Sequence, residues 1–344
     1  MFQASVKNRK HWKRNSSKQQ RKGAESMKLL SLIHNEWIKI FNRPRTWIFF
    51  IIPLLIMLGV TIYDKVNNDN EQREWKQEVQ AEVKQLEKDL EEAKKSGVGA
   101  EQAVSYLESD IKKKEYALEN NISPYEKTTW TFIKEFAPIS SLLGLFVIIV
   151  ASDIVSNEFS KGTIKMLLIR PFSRWKILLS KFLATLGFAI TLWLVTLFFM
   201  WVIGGFAYGF GGFSQPHIIV DSDGAATEQT LSNYVLSTIG LEVIELTVLV
   251  TLSFMISTIF ISNAIAIGIA MLVSFMGSTF VMLFQSKDWI KYSLFANMDL
   301  TQFLNKEFLI EGLTLPFSLS VLAVYTALML AVTFMIFQKR DVKS

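Results

Sequence analysis

The sequence predicts an all-α polytopic membrane protein, and two observations lead to that class. Hydrophobic residues make up 50% of the 344 residues, with 27 Phe and 9 Trp, and they are gathered into long runs. A helix needs about 20 apolar residues to cross ~30 Å of hydrocarbon, and six runs fit that length. We therefore predict six transmembrane helices (TM1 to TM6), an N-terminal interfacial helix and an extracellular helical-hairpin insert.

The predicted segments follow one another in a simple order. TM2 is the least regular of them, with Pro138 near its start and Asp153 near its end. The segments are a basic disordered tail 1–26, the interfacial helix 27–45, TM1 46–63, the extracellular insert 64–130, TM2 131–155, a cytoplasmic segment 156–181, TM3 182–208, an extracellular loop 209–239, TM4 240–261, TM5 264–284, extracellular re-entrant or interfacial helices 285–314, TM6 315–337 and a cytoplasmic tail 338–344.

The distribution of Lys and Arg predicts the orientation. With six spans both termini share a side, and the segments on that side carry 21 of the 36 basic residues. Most of the others belong to the long insert, which has little influence on orientation. Both termini are therefore predicted to be cytoplasmic. The net charge of +5 then reflects basic residues that meet anionic lipid headgroups, and no nucleic-acid partner is expected.

The interfacial helix is predicted from apolar residues that recur at spacings of three and four between polar ones. Trp37 lies on the apolar face. Arg43 and Arg45 flank Pro44, which ends the helix, and long basic side chains at this boundary can extend to lipid phosphates. We therefore predict Trp37, Arg43 and Arg45 as lipid-interface residues, although a simple membrane anchor fits the same pattern.

The insert is predicted to be an antiparallel pair of amphipathic helices joined at the sequence SGVG. Such a hairpin could bind a substrate or a partner. It could equally be a solvated spacer that packs against itself or a second copy.

The stretch NEFSKGTIKMLLIRPFSRWKILLSK, residues 157–181, is basic although it lies between two apolar runs. Thr163 can cap a short helix through Leu168, and Pro171 ends it. A helix with one apolar and one basic face could dock a cytoplasmic partner or rest on lipid, and its physical properties leave both open.

Two acidic residues, Glu242 and Glu245, lie in TM4. Carboxylates inside a bilayer cost free energy, so we expect these two to face protein or water. They are candidates for a substrate path. The alternative is a pair at the interface that is satisfied by headgroups or by Lys from a neighbouring loop.

Motifs for catalysis are absent from the sequence. It has no cysteine, which removes disulfides, thiol chemistry and Cys-based metal sites. His11, His34 and His217 are scattered, and no HExxH, GxSxG or G-x4-GK[ST] occurs. The missing motifs leave a serine-type intramembrane enzyme open. We predict a chain with no metal and no cofactor of its own, and the resemblance described next implies that it is not an enzyme, with ATP hydrolysis in a separate partner subunit.

The segment that follows Glu158 resembles a segment of ABC-2 type transporter permeases. Glu158, Gly162-Thr163, Leu167-Leu168, Pro171, Ser173-Arg174 and Lys181 match the family pattern E-x3-GT-x3-LL-x2-P-x-SR…K. The entry NEWIKIFNRPRTW, the six spans and the ending FQKRD are similar as well, so the resemblance covers most of 27–341 except the insert. One departure is the turn Ser262-Asn263, which lacks the basic residue of many relatives, and we assign it no docking role.

The resemblance implies a permease subunit of an ATP-binding cassette exporter in the bacterial cell membrane. Two permease subunits, identical or homologous, would pair, and each would engage a separate ATP-binding subunit that holds ATP and Mg²⁺. Residues 27–45 would be the family's connecting helix. An antimicrobial peptide, a drug and a lipid-linked molecule are equally compatible substrates. The implied ATPase-coupling residues are Glu158, Gly162, Thr163, Leu167, Leu168, Pro171 and Arg174.

A second class of protein stays open. The chain could be a membrane scaffold or sensor whose extracellular insert binds a ligand, with no transport activity. A separate ATP-binding protein encoded beside this chain would favour the exporter.

Overall fold

The structure, a computed structural model, describes residues 29–67, 75–95, 101–163, 173–221, 224–306, 308, 310 and 312–340. Its helices are α1 (29–41), α2 (Pro44–Asn67), α3 (Trp75–Lys95), α4 (Glu101–Glu119), α5 (Thr129–Glu135), α6 (Ile139–Ser160), α7 (Arg174–Tyr208), α8 (Leu231–Ile259), α9 (Asn263–Phe284), α10 (Gln302–Asn305) and α11 (Leu315–Lys339). Strands β1 (Pro216–Val220) and β2 (Ala226–Thr230) lie between α7 and α8. Six of these helices, α2, α6, α7, α8, α9 and α11, are long and apolar enough to cross a membrane. The predicted all-α polytopic membrane fold is thus confirmed.

The boundaries around TM2 need correction. Residues 131–155 do not form one helix, because α5 is separate and the spanning helix α6 begins only at Ile139. Pro138 has no amide N–H with which to continue the ladder of α5, which favours a break at this point. At the other end α6 continues to Ser160 and α7 begins at Arg174. The predicted cytoplasmic segment 156–181 is therefore helical at both ends.

The spanning helices are arranged around α6. It packs against α7, α8 and α9 and has the largest buried share of the six. Beside it, the rings of Phe182 on α7 and Phe254 on α8 meet edge to face at 5.5 Å between centroids. A charged residue on α6 must consequently find its counter-charge within the protein.

The insert forms a helical hairpin. α3 and α4 pack through Val79, Val83 and Ile111, and Lys114 on α4 pairs with Glu82 on α3 at 2.6 Å. Residues 96–100, which include the whole of the predicted turn SGVG, lie outside the described residues. α4 also packs against the two strands, so the hairpin is attached to the rest of the protein.

The predicted loop 209–239 is more ordered than the sequence indicated. β1 and β2 pair antiparallel, with Pro216 opposite Thr230 and Val220 opposite Ala226. α8 then begins at Leu231, nine residues before the predicted start of TM4.

Short helices follow α9, within the range 285–314 for which short helices were predicted. They are two 3-10 helices, Asp288–Tyr292 and Phe295–Asn297, and α10. Ile290 and Leu300 have no exposed surface, so this segment is packed onto the bundle.

Candidate functional site

Both ends of the described chain lie at one end of the helix bundle, which we name the terminal face. Arg340, after α11, donates a hydrogen bond of 2.6 Å to the carbonyl oxygen of Thr258 near the end of α8. Arg174, at the start of α7, donates to the carbonyl oxygen of Gln338 at 3.1 Å. The opposite end, named the insert face, carries the insert, where Lys127 and Tyr208 both contact Asp64.

Four charged residues meet at the terminal face and form what we name the Lys181 cluster: Glu36, Lys39, Glu158 and Lys181. Lys181 Nζ donates to Glu36 Oε2 at 2.7 Å and to Glu158 Oε1 at 2.6 Å. Lys39 Nζ contacts the same two residues, at 2.6 Å from Glu36 and 3.2 Å from Glu158. The cluster therefore connects α1, the end of α6 and the first part of α7.

The ion pairs of the Lys181 cluster affect stability strongly because the Lys181 side chain is buried. The side chain of Lys181 is 0% exposed, whereas that of Lys39 is 47% exposed. A buried ammonium costs several kcal/mol unless it is paired and hydrogen-bonded, and the two carboxylates meet that need. Burial opposes ionisation of Glu36, but the ammonium groups of Lys181 and Lys39 outweigh it and hold the pKa of that carboxyl below its usual value. The carboxylate of Glu36 is thus stabilised in its ionised form by the two ammonium groups.

A second group of charges lies next to the first. Asp153 on α6 is 1% exposed and contacts the guanidinium groups of both Arg43 and Arg45. We predicted these arginines to extend to lipid phosphates, but the structure directs both towards Asp153. The physical reason is that a buried carboxylate in the central helix requires a nearby positive charge.

Trp37 also turns towards the protein. Its ring stacks on Phe41 at 5.0 Å between centroids, and a Cβ added to Gly187 on α7 would lie 2.5 Å from Trp37 Cζ3. The predicted lipid-interface residue is therefore only partly available to lipid, and it helps to attach α1 to α7.

The predicted coupling residues fall into three groups. Gly162 and Thr163 are exposed in the turn after α6, where Gly162 has a φ of +69°. Glu158 is turned inward, with a side chain that is 12% exposed, and Arg174 caps the carbonyl end of α11. Leu167, Leu168 and Pro171 lie outside the described residues.

The two acidic residues of α8 point to different neighbours. Glu245 Oε1 accepts a hydrogen bond of 2.7 Å from the backbone N–H of Leu300, and it thereby fixes the segment after α9. Glu242 lies beside Ser140 on α6 and Trp193 on α7, with which it lines one small pocket. The expectation that both face protein fits this arrangement, and headgroups are not required to satisfy Glu245.

Lys181, Glu36 and Asp153 were not predicted as site residues. The available signal was that Asp153 and Lys181 are single charges at the edges of apolar runs, which require counter-charges. Among the described residues, no group of three or more His, Cys, Asp or Glu could hold a metal ion.

The six spanning helices and the charges paired between them define a multi-pass membrane protein. The family described as "Protein of unknown function (DUF2705)" matches residues 102–343, and the chain belongs to that family.

Two similar proteins come from Bacillus subtilis (strain 168). The chain is 36% identical over 318 residues to "Uncharacterized protein YhcI", which covers 91% of this chain and 99% of that protein. It is 31% identical over 209 residues to "Uncharacterized membrane protein YdbK", which covers 60% of this chain and 80% of that protein.

Proposed function

We propose that the chain is the permease subunit of an ATP-binding cassette exporter. The observation that carries the proposal is the Lys181 cluster, which joins α1, the end of α6 and α7 through buried ion pairs. The end of α6 and the first part of α7 hold the two described ends of the segment that resembles ABC-2 permeases, 158–163 and 173–181. We propose that a partner bound to this segment moves α6 and α7 together, because the Lys181 cluster links them.

The proposal orients the terminal face towards the cytoplasm of a bacterial cell, where ATP is available. The excess of Lys and Arg on that side supports this orientation. Both termini would then be cytoplasmic, and the insert would be extracellular. A second permease subunit, identical or homologous, and two ATP-binding subunits would complete the exporter, with ATP and Mg²⁺ held by the ATP-binding subunits.

The proposed roles of the coupling residues follow from their exposure. Gly162 and Thr163 are exposed and are proposed to contact the ATP-binding subunit. Glu158 is held by Lys181 and Lys39, so we propose it as a positioning residue that fixes the turn. Leu167, Leu168 and Pro171 keep the contact role that the resemblance implies.

A matched pair of variants at Gly162 tests the proposed role of the turn. No atom lies within 4 Å of a Cβ added to Gly162, so a substitution there acts through the positive φ alone. Asn accepts this conformation, whereas a β-branched residue loses roughly 1–2 kcal/mol. We expect Gly162→Val to reduce the bound ATP-binding subunit and the Mg-ATP hydrolysis about 5- to 30-fold, and Gly162→Asn to retain both.

The measurement uses tagged full-length chain purified in mild detergent from its native membranes. Mass spectrometry identifies co-purified proteins with a G-x4-GK[ST] motif, and ATP hydrolysis is assayed on the same sample. If the wild-type chain carries no such protein and no ATPase activity, the exporter proposal fails. The scaffold or sensor hypothesis would then take its place.

A further inference from the structure

The first turn of α9 is capped by a serine from another helix. α9 begins at Asn263, and the residue before it, Ser262, makes no side-chain hydrogen bond to the backbone of that turn. The hydroxyl of Ser160, the last residue of α6, takes this role. Its Oγ accepts a hydrogen bond of 3.1 Å from the N–H of Asn263 and donates one of 2.7 Å to the carbonyl oxygen of Ile261. One side chain thus satisfies a donor and an acceptor of the turn between α8 and α9.

The start of α9 needs such a partner because the first four N–H groups of a helix have none within the helix itself. A serine directly before a helix commonly accepts one of these hydrogen bonds, and Ser262 stands at that position. Here the accepting hydroxyl lies 103 residues earlier in the chain than the N–H that it binds. The first turn of α9 therefore depends on where α6 ends.

The end of α6 is also held to α8, about one turn before Ser160. Ser257 Oγ on α8 lies 3.2 Å from the N–H nitrogen of Val155 and 3.1 Å from that of Ser156, and it accepts from both. Ser257 and Ser156 are fully buried. The end of α6, the end of α8 and the start of α9 are consequently joined by hydrogen bonds at the terminal face.

The exposed turn with Gly162 and Thr163 follows Ser160 directly. The N–H of Gly162 donates to the carbonyl oxygen of Phe159 at 3.1 Å, so the turn is continuous with the last residues of α6. α9 lies at the outside of the bundle, since it shares with α11 the smallest buried share of the six spanning helices. A helix at this place can shift with less repacking than the central α6.

We infer that Ser160 is a positioning residue that ties the start of α9 to the turn after α6, so that a displacement of this turn reaches α9. The Lys181 cluster leads from the same end of α6 to α1 and α7, and Ser160 adds a connection on the side of α8 and α9. The link itself does not depend on the proposed function. That a bound ATP-binding subunit supplies the displacement does rest on it.

Hydrogen exchange of the purified full-length chain in lipid nanodiscs tests the link, read by mass spectrometry on peptides that include residues 263–266. Ser160→Ala should raise the exchange rate of these amides roughly 2- to 30-fold, the range that corresponds to the loss of a helix cap. Ser160→Thr keeps the hydroxyl and should retain most of the protection. Ser262→Ala is the matched control, because this hydroxyl makes no capping hydrogen bond, and it should exchange as the wild type does.

A double variant distinguishes transmission from a purely local cap. Gly162→Val strains the turn, where φ is +69°, and should by itself raise exchange at 263–266. In the Ser160→Ala background it should add little, because two changes that act through one link are not additive.

Four results would overturn the inference. They are unchanged exchange in Ser160→Ala, an equal rise in Ser262→Ala, no effect of Gly162→Val at these amides, and fully additive effects in the double variant. Because the isolated chain is measured, a missing ATP-binding partner cannot account for any of them.

Discussion

Replacement of Lys181 by Met is expected to lower the free energy of unfolding by about 3–5 kcal/mol, the range seen when one partner of a buried ion pair is removed. The Lys181 side chain has no exposed surface and lies within 2.7 Å of both of its carboxylate partners. Methionine fills a similar volume without the charge. Glu36 and Glu158 would keep their ion pairs with the more exposed Lys39, and thermal unfolding of the purified protein in detergent measures the loss.

Two further variants show whether the loss of stability comes from the buried Lys181 cluster or would follow the removal of any charge. Lys39→Met removes an ammonium from the same carboxylates, but this side chain is 47% exposed, so the cost should be about 1 kcal/mol or less. The triple variant Lys181→Met, Glu36→Gln, Glu158→Gln leaves one exposed charge and should recover part of the stability. Equal losses for the two single Lys variants would contradict the role assigned to Lys181.

The second large effect is expected when both arginines next to Asp153 are replaced. The double variant Arg43→Gln, Arg45→Gln leaves the nearly fully buried carboxylate of Asp153 without a cation, and we expect a loss of about 3 kcal/mol or more. Either single variant keeps one guanidinium in contact and should lose about 1 kcal/mol or less. The recovered fraction of monodisperse protein and its Tm are to be measured for the double variant and for each single variant.

The variant Asp153→Asn is the complementary test, because it removes the carboxylate and keeps both arginines. The arginine side chains are about one third exposed (33% and 34%), so they can reach water when the carboxylate is removed. The loss should therefore be smaller than in the double arginine variant. A double variant as stable as the single ones would show that Asp153 does not depend on these arginines.

Much of the fold could be predicted because a helix that crosses a bilayer must consist mainly of apolar residues. Runs of about 20 apolar residues indicate spanning helices with little ambiguity, and the spacing of Leu29, Ile33, Trp37 and Ile40 indicated α1. The exact ends were harder to predict. Ser156 to Ser160 are not apolar enough to count as a span, yet they continue α6 because backbone hydrogen bonds extend a helix beyond its hydrophobic part.

The Lys181 cluster could not be predicted from sequence patterns. Lys181 and Glu36 are 145 residues apart, and in the sequence Lys181 is one of six basic residues between two apolar runs. Only the packing of α1 against α7 brings the two together. The hairpin of β1 and β2 was missed for a related reason, since two strands of five residues each give too short an alternation to stand out from a loop.

The central claim is that the exposed turn after α6 contacts a separate ATP-binding protein. The most direct measurement is photo-crosslinking from position 163 in intact cells, with an exposed position on the insert face, Glu126, as the control. We expect a crosslink from Thr163→p-benzoylphenylalanine to a protein with a G-x4-GK[ST] motif, and no such crosslink from position 126. A crosslink to that protein from position 126 alone, or labelling of Thr163→Cys by a membrane-impermeant reagent added outside intact cells, would contradict the claim.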